Sequence, residues 1–283
     1  MENIGLMLEG GGMRGVFTAG VLHFFMEQEL YFQNVIGVSS GACQGSSYIS
    51  RQLGRNKKVT IDYIDHPKYI SYRNLIKNRE LFGMDFIFDE LPKKHVPFDF
   101  LTFHQAKERF ITVTTDCRSG EPVYFEKGND SERTLKLLRA SSSLPFMAPI
   151  VKIEGRELLD GGLADPLPIK KLELDGCKKN VLILTRNKGY RKSRGQLGWL
   201  IKRAYRNYPG LVLALENRYR IYNDTMDYIE DQEKKGHVFV IRPTQSLKVS
   251  RVERNKDKLT DLYLQGYKEI EGQFDNLKEW LHY

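Results

Sequence analysis

Cysteine is scarce in this chain: Cys43, Cys117 and Cys177 are the only three in 283 residues. They are far apart, odd in number and without CxxC spacing, which argues against a disulfide framework and against a cysteine-based zinc site. No metal and no cofactor is expected, and the sparse thiols fit a reducing, cytoplasmic compartment. Long apolar runs are missing as well; none approaches the ~20 residues of a membrane span. The opening MENIGLMLEGGG has no basic n-region and only a short apolar run before its glycines, so it does not read as a signal peptide. With 24 glycines and 10 prolines the chain is not collagen-like, and 41% hydrophobic against 28% charged residues excludes a disordered polymer.

What is present is an alternating pattern. Ile4 to Leu8 is a short apolar run ended by Glu9 and three glycines, the form of a buried parallel strand. Val16 to Glu29 carries apolar residues at 17, 21, 24 and 25, a helical period. Asn34 to Val38 repeats the strand form and leads through Ser-Ser-Gly-Ala into a second helix. Strand, helix, strand, helix predicts an α/β fold with a parallel sheet. Further strands are predicted at 110–115, 122–126, 181–184 and 238–241, and a hairpin around Gly155. Helices are predicted at 211–233 and 258–281; the second carries Leu259, Leu262, Tyr263, Tyr267, Ile270, Phe274, Leu277 and Leu281 on one face, a core stripe.

Two segments are unusual in composition. Residues 82–103 hold six of the fifteen phenylalanines, with Pro92 and Pro97 against one continuous helix; the segment reads either as a satellite core or as the wall or lid of an apolar pocket. Residues 186–206 hold eight Lys or Arg and no acid, which equals the whole net charge of +8. This is a solvated face or, with Trp199, Leu200 and Tyr205 among the cations, a peripheral contact with an anionic membrane. Nucleic acid is the weaker choice of partner, and the oligomeric state is not legible.

Three motifs carry chemistry. Gly10-Gly11-Gly12-Met13-Arg14-Gly15 has GxGxxG form between a strand and a helix. A dinucleotide site would want an acid at the end of the second strand, where Ser39-Ser40-Gly41 stands instead. The loop's exposed N–H groups suit an oxyanion as well as a phosphate. Gly37-Val38-Ser39-Ser40-Gly41 is GxSxG between a strand and a helix, the context of a nucleophile elbow. Its flanking glycines permit the sharp turn that would present Ser39. Asp160 ends an apolar strand before Gly161-Gly162, a turn in its own right. Among the six histidines, only His237 and His282 follow the best acid candidates, and both have poor contexts for a general base.

In order, GGGMRG, GVSSG, the Ser/Pro-rich segment Ala140–Pro145 with Phe146 and Pro149, and DGG resemble the patatin-like phospholipase family across about the first 170 residues. The resemblance implies a three-layer α/β sandwich with a mostly parallel central sheet and a Ser-Asp dyad. It implies Ser39 as nucleophile, Asp160 as base, Gly10, Gly11 and Gly12 as oxyanion hole, and Arg14 as a residue that orients the loop or meets a phosphate. The expected function is a serine lipid acyl hydrolase. The expected organisation is a catalytic core over 1–185 and a basic, helical extension over 186–283, which resembles more loosely the C-terminal extension of a bacterial patatin subgroup. The alternatives are a catalytically silent membrane- or nucleic-acid-binding protein and a nucleotide-binding protein using residues 10–15.

Overall fold

The computed structural model describes residues 3–71, 80–196, 198–245 and 247–282. Strand β1 (Ile4–Leu8) leads through a 3-10 turn (Gly12–Gly15) into helix α1 (Val16–Glu27), and β2 (Asn34–Val38) leads into α2 (Ser40–Ile49). After a helical turn at Arg55–Lys57, the long crossover holds a π-helical stretch (Phe86–His95) and α3 (Phe100–Gln105). Then come β3 (Arg109–Asp116), β4 (Pro122–Glu126), α4 (Ser131–Ser141), β5 (Val151–Ile153), β6 (Arg156–Asp160), α5 (Ile169–Leu174) and β7 (Lys179–Ile183). The chain continues with α6 (Gly198–Ala204), α7 (Pro209–Lys234), β8 (Val238–Ile241), α8 (Lys256–Glu271) and α9 (Phe274–His282).

One sheet runs in the order β5-β6-β3-β2-β1-β7-β8, with β4 also on β3. The pairs β3–β2, β2–β1, β1–β7 and β7–β8 are parallel. Alternate residues of β1 serve opposite cores. Leu6 and Leu8 pack with α1, α2 and α8, whereas Met7 packs with Ile36, Val113 and the buried side chains of α5 and α7. Both faces are covered, which is why every residue of β1 is buried. The result is a three-layer α/β sandwich with a mostly parallel sheet, as the motifs imply. Among the described residues no helix is long and apolar enough to cross a membrane.

Strand β3 has two edges and three partners. Along one edge, β4 pairs antiparallel with Ile111 to Thr115. Along the other, β2 pairs as far as Val38 with Val113, and antiparallel β6 takes over at once, Asp160 opposite Thr114. Strands β2 and β6 therefore run toward each other on one edge of β3, and their carboxyl ends meet. That is the geometric origin of the site.

Some sequence expectations change. The predicted helix over 258–281 is two helices, because α8 ends at Glu271, capped by Gly272, and α9 begins at Phe274. Helix α1 is buried nearly all round, since α8 lies along its outer side. Gly20 and Gly266 make that approach possible: a Cβ on Gly20 would lie 2.0 Å from the Tyr263 carbonyl oxygen, and one on Gly266 2.1 Å from that of Phe17. Pro92 does sit inside a helical stretch, but a π-helical one. There Val96 N–H reaches back five residues to the Leu91 carbonyl, and the wider turn accommodates a ring that an α-helical turn would crowd.

Candidate active site

Glu9 to Gly12 follow β1, Ser39 follows β2 and Asp160 ends β6, so all three motifs arrive at carboxyl ends of strands. They line one pocket with Arg14, a cavity of about 450 Å³ including its mouth. Every site residue singled out in the sequence is therefore in this one place.

Ser39 sits at φ 56° and ψ −127°, a backbone conformation that a non-glycine residue adopts only under constraint. The constraint is visible. Ser39 N–H donates to Ser141 Oγ at 2.9 Å, and Ser141 Oγ donates to the Val113 carbonyl at 2.7 Å. Gly41 lets the elbow lie against β1, because a Cβ there would stand 2.3 Å from the Leu8 carbonyl oxygen. Two residues on from Ser141, the Ser143 carbonyl accepts from Asp160 N–H at 2.8 Å. The Ser/Pro-rich segment thus pins both motifs at once. Ser141→Ala would strand the buried Ser39 N–H, so a urea titration is expected to show about 1–3 kcal/mol of lost stability. A loss under ~0.5 kcal/mol would mean that another acceptor replaces the hydroxyl.

Asp160 is 2% exposed. Its Oδ1 accepts from Gly162 N–H at 2.8 Å, and its Oδ2 is buried without a partner in good hydrogen-bond geometry. Burial raises its pKa; the nearby Ser39 hydroxyl, Arg218 and the Gly162 N–H oppose that rise. The hydroxyl is thus close enough to favour the carboxylate while the contact is not yet a well-formed bond, a usual condition of unliganded sites. The N–H groups of Gly10, Gly11 and Gly12 have no acceptor among the described residues, whereas those of Glu9 and Met13 donate to the Ile183 and Arg251 carbonyls. Arg14 is buried at 6% exposure with Nε unpartnered, and its pKa is pushed down to about 10 by burial, then by Arg186 and Arg251.

A second, apolar pocket of about 630 Å³, its open mouth included, shares Gly12, Ser39 and Leu144 with the first. Val59, Tyr69, Phe82, Met84, Ile87 and Phe88 supply its walls. Phe86, Phe98 and Phe103 from the same Phe-rich segment are instead buried in the main core. The two readings of that segment therefore both apply, to different rings.

None of the six histidines lines either pocket. His237 is exposed at the opposite end of β8, with Nδ1 2.9 Å from Gln232 Oε1. Among the described residues no group of His, Cys, Asp and Glu is placed to hold a metal ion.

The basic segment divides. Arg186 and Lys192 face the pocket. Arg191 pairs with Asp227 and Glu230, and Lys202 with Glu216. Lys188, Arg194, Arg203 and Arg206 remain exposed, with Trp199 68% exposed in the same segment. The sequence reading missed Glu9, Arg218 and Arg251, which also line the pocket. Arg218 Nε donates to the Gly162 carbonyl at 2.6 Å. Nothing local marks a cation on α7 or in the loop before α8 as a site residue.

Comparison with known proteins places the chain in a family. Residues 6–172 match the family model of patatin-like phospholipases, and residues 208–282 match a domain of unknown function (DUF6363). The uncharacterized protein YjjU of Escherichia coli (strain K12) is 30% identical over 256 residues, covering 86% of this chain and 69% of that protein. Lysophospholipase NTE1 of Scheffersomyces stipitis is 25% identical over 191 residues, covering 62% of this chain but only 11% of the relative. The crystal structure of VipD from Legionella pneumophila shares the fold, with a TM-score of 0.52 at 12% identity over 98% of this chain and 67% of that one. Since the family match spans more than half of its residues, the chain belongs to the patatin-like phospholipase family, a family of lipid hydrolases.

Proposed function

We propose that the chain is a serine acyl hydrolase that cleaves carboxylic esters of lipids through an acyl-Ser39 intermediate. The observation that carries this reading is the strained Ser39 elbow facing buried Asp160, between unpaired glycine N–H groups and an apolar pocket. Asp160 takes the Ser39 proton as Oγ attacks the ester carbonyl carbon. The developing oxyanion is received by the N–H groups of Gly10 to Gly12, each such donor contributing about 3 kcal/mol in comparable sites. The amino end of α2 adds a favourable dipole. Collapse expels the alcohol with the proton held by Asp160. Water then gives its proton to Asp160, attacks the acyl carbon and releases the fatty acid, and the proton returns to Ser39.

Arg14 follows the glycine loop, and its buried side chain lines the same pocket. The apolar pocket holds the acyl chain. Residues 1–185 carry the chemistry, and residues 186–283 complete the pocket wall. A fluorophosphonate probe is expected to label Ser39 in the native protein and nothing in folded Ser39→Ala. Labelling mapped to another serine, such as Ser142, would overturn the assignment.

A further inference from the structure

Five cations line the pocket at Ser39: Arg14, Arg186, Lys192, Arg218 and Arg251. By contrast, Arg191, Lys202 and Arg242 are each ion-paired. Among the described residues none of the five has a carboxylate within ion-pair distance. The pocket's two acids, Glu9 and Asp160, offset only part of this charge, and neither lies within ion-pair distance of any of the five. Asp160 is engaged with Gly162, and Glu9 accepts from Thr185 N–H at 2.6 Å, Thr185 Oγ1 at 3.1 Å and Tyr222 OH at 3.2 Å. The cations depress one another. Burial and then Arg251 lower Arg218, and burial and then Arg218 push Lys192 down. Unpaired, part-buried like charges are costly to hold together unless an anion joins them.

We propose that this cluster is an anion subsite for the substrate's headgroup, and that it selects lipid esters ending in an unmasked phosphate over those capped with choline. The inference rests on the acyl-hydrolase reading for its link to turnover. Guanidinium groups offer planar, bidentate donors to phosphate oxygens. A quaternary ammonium would need open aromatic faces or a free acid. The pocket offers neither: Arg186 lies 4.2 Å from the ring centre of Tyr190, and Lys192 lies 3.7 Å from that of Tyr222 behind it. Four of the five cations come from residues after 185, beyond the match to the family's model, so the C-terminal segment selects the headgroup.

The test compares hydrolysis of 1-acyl-glycerol 3-phosphate with that of the matching 1-acyl-glycerophosphocholine, both kept monomeric. The phosphate monoester is expected to be favoured about tenfold or more in kcat/KM. Arg251→Gln and Lys192→Met are each expected to shrink that ratio at least about fivefold, mainly through KM. Calorimetry on Ser39→Ala supplies a readout without turnover: glycerol 3-phosphate should bind more tightly than inorganic phosphate, and glycerophosphocholine should not bind. Hydrolysis of both lipids at equal rates, with no binding of any phosphate compound, would overturn the subsite. Inorganic phosphate bound as tightly as glycerol 3-phosphate, with no preference between lipids, would overturn the headgroup assignment in favour of a free-phosphate site. Binding of glycerol 3-phosphate with no hydrolysis of either lipid would sink the acyl-hydrolase reading and leave the subsite standing.

Discussion

Asp160→Asn is expected to lower kcat for an ester substrate by ~10⁴ or more, with the fold intact. The substitution keeps the shape and the acceptor oxygen for Gly162 N–H but removes the carboxylate beside the Ser39 hydroxyl. Ser39→Ala should fall as far, and the double variant little further, because the two act as one unit. His237→Ala should stay within ~10-fold of wild type, since that ring is exposed and occupied with Gln232. The pH profile adds a sign. Asp160 works as a base only when deprotonated, and burial raises its pKa. Activity should therefore fall, on acidification, at a higher pH than the ~3.9 of an ordinary aspartate. Stability runs the other way. Between the unfolded and the raised folded pKa the native state binds more protons, so this group's contribution weakens as pH rises through that window. Asp160→Asn removes the buried charge, and its Tm at pH 7 should be no lower than that of wild type. Turnover within ~10-fold of wild type in Asp160→Asn would remove Asp160 as the base.

Gly20→Ala and Gly266→Ala should each rank among the most destabilising single methyl additions in the molecule. The methyl would meet a carbonyl oxygen of the facing helix at 2.0 Å or 2.1 Å, with no flexible side chain to give way. Overpacking typically costs ~1–3 kcal/mol, and here two backbones must part, so about 3 kcal/mol or more is expected. Out of a total of ~5–15 kcal/mol, that loss would show plainly in urea midpoints. Once one methyl has separated the helices, the second meets less resistance, so the double variant should cost less than the sum. Gly195→Ala is the control: nothing lies within 4 Å of its Cβ position, and it should change stability by less than ~0.5 kcal/mol. Equal midpoints for Gly20→Ala and Gly195→Ala would contradict the close packing of α1 on α8.

The sheet and the site were legible in the sequence to different depths. Short apolar runs ended by glycine identify β1 and β2 because both faces of those strands are covered, and the strand–glycine–helix context marks the loops at residues 10–15 and 37–41. Asp160 was legible mainly in conjunction with them, since an Asp-Gly-Gly turn has an ordinary reading of its own. The role of Ser141 was not legible, because its partners, Ser39 N–H and the Val113 carbonyl, come from strands β2 and β3 far from it in sequence. The same holds for Arg218 and Arg251. One lies on a long amphipathic helix and the other in a loop, where a cation normally faces water; only the tertiary fold turns them toward Ser39. Helix α1 shows a single apolar stripe by periodicity, and the burial of its remaining sides needs α8, some 240 residues downstream. The break at Gly272 is a local cap that an uninterrupted stripe conceals.

Strands β2 and β3 are parallel neighbours, so the chain between them must cross over, which takes about a dozen residues. Residues 39–108 make this connection, several times that length, and part of the surplus forms the wall of the apolar pocket. Both ends of the excursion are anchored in the sheet, while Ser39 and Asp160 are indexed to Val113 and Thr114 of β3. Phe86, Phe98 and Phe103 tie the excursion to the main core, while Val59, Phe82, Ile87 and Phe88 face the apolar pocket. Pocket shape and reaction chemistry are thus separately heritable in this architecture: substitutions at those wall positions can reshape what is held without disturbing the two strand ends that meet.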